Sequence, residues 1–362
     1  MNIKQEIIVK LTYIFSEFFY GCNLGRKGDF VKLRKLCAFL LLTLSLGIVS
    51  GCGNDEKTEK SDAKKVFHVG IVQLVEHAAL DAANKGFIDG LASRGYKENT
   101  NIKFDRQNAQ ADQSNLQTIA QRFVNNKVDL ICAIATPAAQ TVANATKDIP
   151  IVGTAITDYA EAKLVKSNDK PETNVTGTTD MNPVKEQIDL LLKIVPNTKT
   201  IGFIYTSSEV NSQLQITIAK KYAEAKGLKT VEATVSNVND IQQAAQSLVG
   251  SCEAIYVPTD NILASAMPTL TAVTNEAKIP VFCGEGGMTK AGGVATLGVD
   301  YYKLGFQTGL MAADILSGKS KPENMPIQAQ KEFEVIINTE QVKKLGITIP
   351  AEITQQVKGA NK

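Results

Sequence analysis

The sequence predicts an α/β protein of two doubly wound parallel-sheet lobes, joined by a three-segment hinge with a ligand cleft between them. Three observations carry this. Strand-like and helix-like runs alternate strictly from Val66 onward, a pattern that means parallel sheets with right-handed crossovers. The alternation restarts near residue 182, which makes two lobes. A tail of one strand, one helix and one more strand is too little for a third domain. The chain must therefore return to the first lobe and cross again to the second.

The elements follow in order. Residues 66–74 are mostly apolar and β-branched, as a strand covered on both faces is. Leu80, Asn84, Phe87, Ile88 and Leu91 form a helical stripe that stops at Gly95. Strands are then read at 101–107, 128–135, 149–156 and 175–179, with helices at 112–126 and 137–146. After the restart come helices at 183–195, 212–226, 240–249 and 261–277, and strands at 200–206, 229–235, 254–258 and 280–283. The tail gives a strand at 294–299, a long amphipathic helix at 301–316 and a last strand at 333–338. One lobe is thus expected over 66–181 plus 294–322, the other over 182–293 plus 323–350.

Upstream of the folded part, 31–52 reads as an export signal. Lys32, Arg34 and Lys35 give a basic start, 36–49 an apolar stretch, and Val49-Ser50-Gly51 places small residues before Cys52. The ending resembles the lipobox at which bacterial lipoproteins are cut and lipidated on the cysteine. The apolar stretch is shorter than the roughly 20 residues a spanning helix needs. Residues 1–51 are therefore expected to be a signal region and 52–65 a lipid-anchored tether outside the cytoplasmic membrane. More than one acyl chain on Cys52 holds a protein firmly, where a single chain is marginal. A signal should begin a chain, so residues 1–30 fit poorly. Translation is expected to start at Val31 from a GTG codon, the purine-rich coding of Lys27-Gly28-Asp29 serving as ribosome-binding site. The gene's nucleotides check this. The tether, with no large apolar residue between Gly53 and Lys65, reaches roughly 20 Å as a flexible coil.

Composition excludes several function classes. The net charge is +2. Residues 1–51 hold seven Lys/Arg and three Asp/Glu, so 52–362 carries 32 against 34, a net −2. Nothing there calls for nucleic acid as partner. Hydrophobic residues are 44% and charged residues 21%, as in ordinary soluble domains. Of six cysteines, Cys22 and Cys37 lie upstream of the cut and Cys52 takes lipid. Cys132, Cys252 and Cys283 lie in or beside apolar strands and read as buried thiols, neither a disulfide framework nor a metal site. Two histidines, His68 and His77, supply catalytic metal chemistry poorly. No G-x-S-x-G elbow, P-loop or HExxH occurs, so no enzyme and no cofactor is expected.

Ligands of open α/β sheets sit outside the carboxyl ends of the strands. Thr136, Pro137 and Ala138 follow the strand ending at Ala135. Thr136 suits an N-cap and Pro137 the first helical position, and the free N–H groups there suit a carboxylate, although a plain helix start has the same residues. Ser207, Ser208 and Asn211 occupy the equivalent place in the second lobe. Thr259 and Asp260 follow a buried strand, and Asp260 is the anion expected to meet an ammonium, a helix-cap role competing. Asp158 is the lobe I counterpart. Gln73, Glu76 and His77 follow the first strand, and Glu285 lies on a glycine-rich loop. Asp260→Asn is expected to keep the fold, since Asn caps well, and to lose binding.

Taken as an ordered set, these segments resemble a known family. VGIVQLVEHAALDAANKGFIDGL (69–91), QNAQAD (107–112), IATPAAQTVANATKDIPIV (134–152) and TAITD (154–158) match in the first half. IGFIYTSSEVNSQLQ (201–215), YVPTDN (256–261) and VDYYKLGFQTGLMAADIL (299–316) match in the second. The chain is similar to substrate-binding lipoproteins of ABC importers with the type I periplasmic-binding-protein fold, in the branch associated with tryptophan and related amino acids. The resemblance implies capture of an amino acid by hinge closure and delivery to an ABC permease with its ATPase. Two other readings stay open: a ligand-sensing ectodomain of the same fold, and a binder of a sugar or nucleoside. The absence of Trp weakens the sugar reading, because sugar faces commonly stack on aromatics.

Overall fold

The chain builds two open sheets whose central strands are buried on both faces. The computed structural model describes residues 65–355 and 357. The signal region and Cys52 lie outside the described residues, as does the tether up to residue 64.

Lobe I runs β1 (Phe67–Gln73), α1 (Ala78–Ser93), β2 (Ile102–Asn108), α2 (Gln113–Asn125), β3 (Leu130–Ile134), α3 (Thr136–Ala145), β4 (Ile151–Ile156) and β5 (Val175–Thr179). Lobe II continues with α4 (Val184–Ile194), β6 (Thr200–Thr206), α5 (Val210–Ala225), β7 (Lys229–Val235), α6 (Ile241–Leu248), β8 (Ala254–Val257), α7 (Asn261–Ser265), α8 (Met267–Glu276), β9 (Val281–Cys283), α9 (Gly286–Lys290) and β10 (Ala295–Gly298). Then come α10 (Tyr301–Leu316), β11 (Gln328–Ala329), β12 (Glu334–Ile337), α11 (Thr339–Leu345) and α12 (Ala351–Thr354).

Strand order is β11-β5-β4-β3-β1-β2 in one sheet and β12-β10-β9-β8-β6-β7 in the other. Pairing is parallel except between β10 and β12. Sequence and burial agree strand by strand. β3 (LICAI) is wholly buried and reads as a continuous apolar run, whereas edge strand β2 (IKFDRQN) is largely polar and partly exposed. In each lobe the order reverses between the first and third strands, β1/β3 and β6/β8, which opens a crevice at their carboxyl ends.

Three segments cross between lobes, but two boundaries differ from the expected ones. The strand expected to open the return to lobe I is β10, which pairs with β9 and β12 in lobe II; the chain returns only at α10. Past residue 323 the chain first adds β11 beside β5 of lobe I, then crosses to β12. The crossings are sewn together: Val299 N–H donates to Asn182 Oδ1 (3.0 Å), and Gln330 exchanges two hydrogen bonds with the Asp300 backbone. The helix expected over 261–277 is broken at Ala266, because Pro268 has no N–H to continue the ladder and a new helix begins there. The glycine-rich loop around Glu285 opens the short helix α9.

The two lobes form one compact unit and touch across the cleft. Val210 of lobe II packs on the lobe I core, and Ala111 of lobe I on a lobe II core. Gln215 Nε2 donates to Thr157 Oγ1 (3.3 Å), and His77 Nε2 lies 3.3 Å from Asn261 Oδ1. The lobes are closed.

Candidate functional site

Closure leaves only a small cavity, about 10 Å³, at the facing carboxyl ends of the two sheets. Lobe I lines it with His77, Leu80, Ala155 and Thr157, and the crossing region adds Asp180 and Tyr301. Lobe II supplies Asn211, Thr259, Asp260, Asn261 and Glu285. A second, wider groove between the lobes runs from Pro137 and Leu74 of lobe I to Ser208, Glu209 and Ile262 of lobe II.

Each acidic side chain here is held by its own set of donors. Asp180 accepts from Thr157 Oγ1 (3.1 Å) and from the Tyr301 hydroxyl (2.6 Å). Asp260 Oδ1 accepts from Thr206 Oγ1 (2.8 Å) and Leu263 N–H (2.9 Å), and Oδ2 from Thr206 N–H (2.6 Å) and Ser212 Oγ (2.8 Å). Glu285 caps α9, accepting from Gly287 N–H (2.5 Å) and Met288 N–H (2.6 Å). Glu209 Oε2 accepts from Asn211 Nδ2 (2.8 Å), Asn261 Nδ2 (2.6 Å) and Asn261 N–H (3.3 Å), while Oε1 is buried with no partner.

Burial raises the pKa of all four carboxyls, in Glu209 up to about 8, with Asp260 adding to the effect, and in Glu285 up to about 7. Among the described residues no Lys or Arg side chain is buried, so these acids have no buried counter-ion; only the exposed Lys290 acts on Glu285 from a distance. Such a site favours a cationic group that arrives from outside.

The structure sorts the residues expected at the site. His77, Asn211, Thr259, Asp260 and Glu285 line the cavity. Thr136 is the first helical residue rather than the N-cap; Ala135 takes that place at φ 86°, and Thr136 Oγ1 is left buried and unpaired. Pro137 lines the wider groove, whereas Ala138 is core. Gln73 does not line the cavity; its amide bridges Val75, Asp81 and Asn84 and sets the loop that carries His77. Asp158 is corrected as well: its carboxylate accepts from Ala160 and Glu161 N–H and fixes a turn. Ser207 and Ser208 are exposed, the second on the wider groove, because the chain turns outward before α5 begins. Asp260 sits at the site, but four donors fill its two oxygens and no lone pair remains for a ligand. Glu209, Asn261, Thr157 and Asp180 are the residues sequence reasoning missed. Glu209 lies inside the quoted SSEVN motif, directly after a buried strand, and that position was the available signal.

Residues 68–360 match the family described as ABC transporter substrate binding protein. The chain belongs to this family. It is 43% identical over 322 residues to a tyrosine-binding protein of Clostridioides difficile, covering 87% of this chain and 93% of the relative. Among solved structures, a domain from Streptococcus pneumoniae in complex with L-Trp is 39% identical, with a TM-score of 0.79 over 81% of this chain and 99% of that one. A ligand-free, open substrate-binding protein with adhesive properties from Clostridium difficile is 44% identical over 81% of this chain and 98% of that one, with a TM-score of 0.63. At similar identity, the closed lobes seen here superpose better on the complex than on the open form. The doubly wound two-lobe architecture is that of the type I periplasmic-binding-protein fold, and the family is one of solute binders. Among the described residues no helix is long and apolar enough to cross a membrane.

Proposed function

We propose that this chain is the extracytoplasmic receptor of an ABC importer, anchored by lipid on Cys52, which captures an aromatic amino acid by hinge closure and presents it to its permease. The observation that carries the reading is the closed cleft, with the buried carboxyls of Asp180, Asp260 and Glu285 in its cavity, Glu209 behind them, and no buried Lys or Arg among the described residues. A zwitterion brings the missing cation, and an apolar side chain has Leu80, Ala155 and Ala264 beside it. The tyrosine and tryptophan ligands of the relatives support the aromatic choice. A ligand that touches both lobes shifts the population further toward the closed state.

A thermal-shift screen of residues 52–362 against the amino acids, nucleosides and simple sugars tests this. L-tryptophan or L-tyrosine is expected to give the largest rise in Tm, because a ligand of the native state alone must stabilise it. The same ligand should lower the radius of gyration in small-angle scattering. A rise with a sugar or nucleoside and none with any amino acid sinks the reading.

Binding should also release protons. The raised carboxyls of the closed cleft stay protonated well above the ordinary range, Glu209 to about 8 and Glu285 to about 7, so the native state holds protons that the unfolded chain has lost. Unliganded stability therefore falls as pH rises from about 4.5 through these values. An ammonium in the cleft favours the charged carboxylate and lowers its pKa. Calorimetry near pH 7 in buffers of different ionisation enthalpy should show release of about one proton. Binding that tightens on going from about pH 5 to about pH 8 agrees, whereas proton uptake on binding would contradict it.

A further inference from the structure

The cleft leaves three polar atoms without partners. His77 Nδ1, Glu209 Oε1 and Asn211 Oδ1 are all buried and unpaired. One chain of hydrogen bonds fixes the chemical character of each. Asn211 commits its amide N–H groups to Glu209 Oε2 (2.8 Å) and the Thr259 carbonyl (3.0 Å), so its free atom is the oxygen. Asn261 commits Nδ2 to the same Glu209 oxygen (2.6 Å) and turns Oδ1, which can only accept, toward His77 Nε2 (3.3 Å). His77 must then carry its proton on Nε2, and Nδ1 is a bare lone pair. Burial favours this neutral ring by lowering its pKa.

The other acids of the cleft are already served. Asp260 holds four donors, and each oxygen of Asp180 and Glu285 holds one. Glu209, only 3% exposed, is the acid with an empty oxygen. An ammonium offers three N–H donors and one charge, and a buried charge needs an opposite partner.

We propose that Glu209, with Asn211 and His77, is the seat of the ligand's α-ammonium, and that Asp260 serves only to hold the loop beneath it. This rests on the reading of the chain as an amino-acid receptor. Asn211 and His77 line the closed cavity, and Glu209 lies directly behind it, bonded to the cavity residues Asn211 and Asn261. His77 comes from lobe I and the other two from lobe II. The ammonium thus joins the lobes, and an amine-free analogue should bind without closing them firmly.

Calorimetric titration of the parent and of Glu209→Gln with L-tryptophan, L-tyrosine and the amine-free indolepropionic acid tests the seat. The parent should prefer tryptophan over indolepropionic acid by about a hundredfold. Glu209→Gln should bind tryptophan about a hundredfold more weakly and indolepropionic acid nearly as before, so the preference for the amine disappears. A variant that keeps the parent's preference overturns the seat while leaving the receptor reading intact. A parent that binds neither amino acid overturns the receptor reading itself, and the seat with it. Should Glu209→Gln lack a folding transition, His77→Phe decides. About tenfold weaker tryptophan binding with indolepropionic acid unchanged supports the seat, and equal losses for both ligands overturn it.

Discussion

Gly305→Ala is expected to lower the unfolding free energy by about 3–5 kcal/mol or to prevent lobe I from folding. The sign makes the test sharp, because in an ordinary helix interior Ala is better than Gly by about 1 kcal/mol. Here α1 and α10 cross at backbone contact. A Cβ on Gly305 would overlap the Ala83 carbonyl, and one on Gly86 would overlap the Tyr302 carbonyl. The obstruction is backbone, so no side chain can swing aside, and the helices must part. Parting them uncovers Leu80, Phe87, Leu304 and Ala312, all in the lobe I core. It also shifts Tyr301, whose hydroxyl holds Asp180 at the cleft. Urea unfolding monitored by circular dichroism measures the effect, and a variant as stable as the parent would refute the close-contact account.

That crossing has a signature in the sequence. Gly86 and Gly90, and again Gly305 and Gly309, share the spacing that lets two helix backbones meet. Long periodic elements were read to the residue, as β6 and α10 show, because burial of both strand faces or one helix stripe leaves a pattern many residues long. β11 has two residues and α9 five, too few for any period to appear. For that reason the second and third crossings were displaced although their number was foreseen.

The site divides in the same way. The rule that ligands meet the ends of strands located His77, Asn211, Thr259, Asp260 and Glu285, because sheet topology alone dictates that edge. Which polar atoms remain free at that edge depends on tertiary partners from distant segments. Asp260 is filled by Thr206 and Ser212, about fifty positions away in the chain, whereas Glu209 keeps an oxygen empty. Local sequence gives the two acids equal standing. Ser207 and Ser208 looked richer in hydroxyls than a cap requires, yet the turn before α5 points them to solvent.

Asp260→Asn is expected to damage the fold rather than the ligand contact. Asn can replace the carboxylate as cap for Leu263 N–H, and on that bond alone the variant would be harmless. The cap, however, is one of four bonds. Placing an amide nitrogen at either oxygen position sets N–H donors against a backbone N–H, that of Thr206 on one side or of Leu263 on the other, and forces the Ser212 or Thr206 hydroxyl to turn and accept. Each buried donor left unserved costs about 1–3 kcal/mol. Removing a desolvated acid offsets part of this, since burial already raises the pKa of Asp260. The net loss should be about 2–4 kcal/mol by urea unfolding. The fraction that stays folded should bind tryptophan within about threefold of the parent, a difference of under about 1 kcal/mol. The opposite pair of results, unchanged stability with binding abolished, would return the ammonium to Asp260 and leave the empty oxygen of Glu209 to solvent.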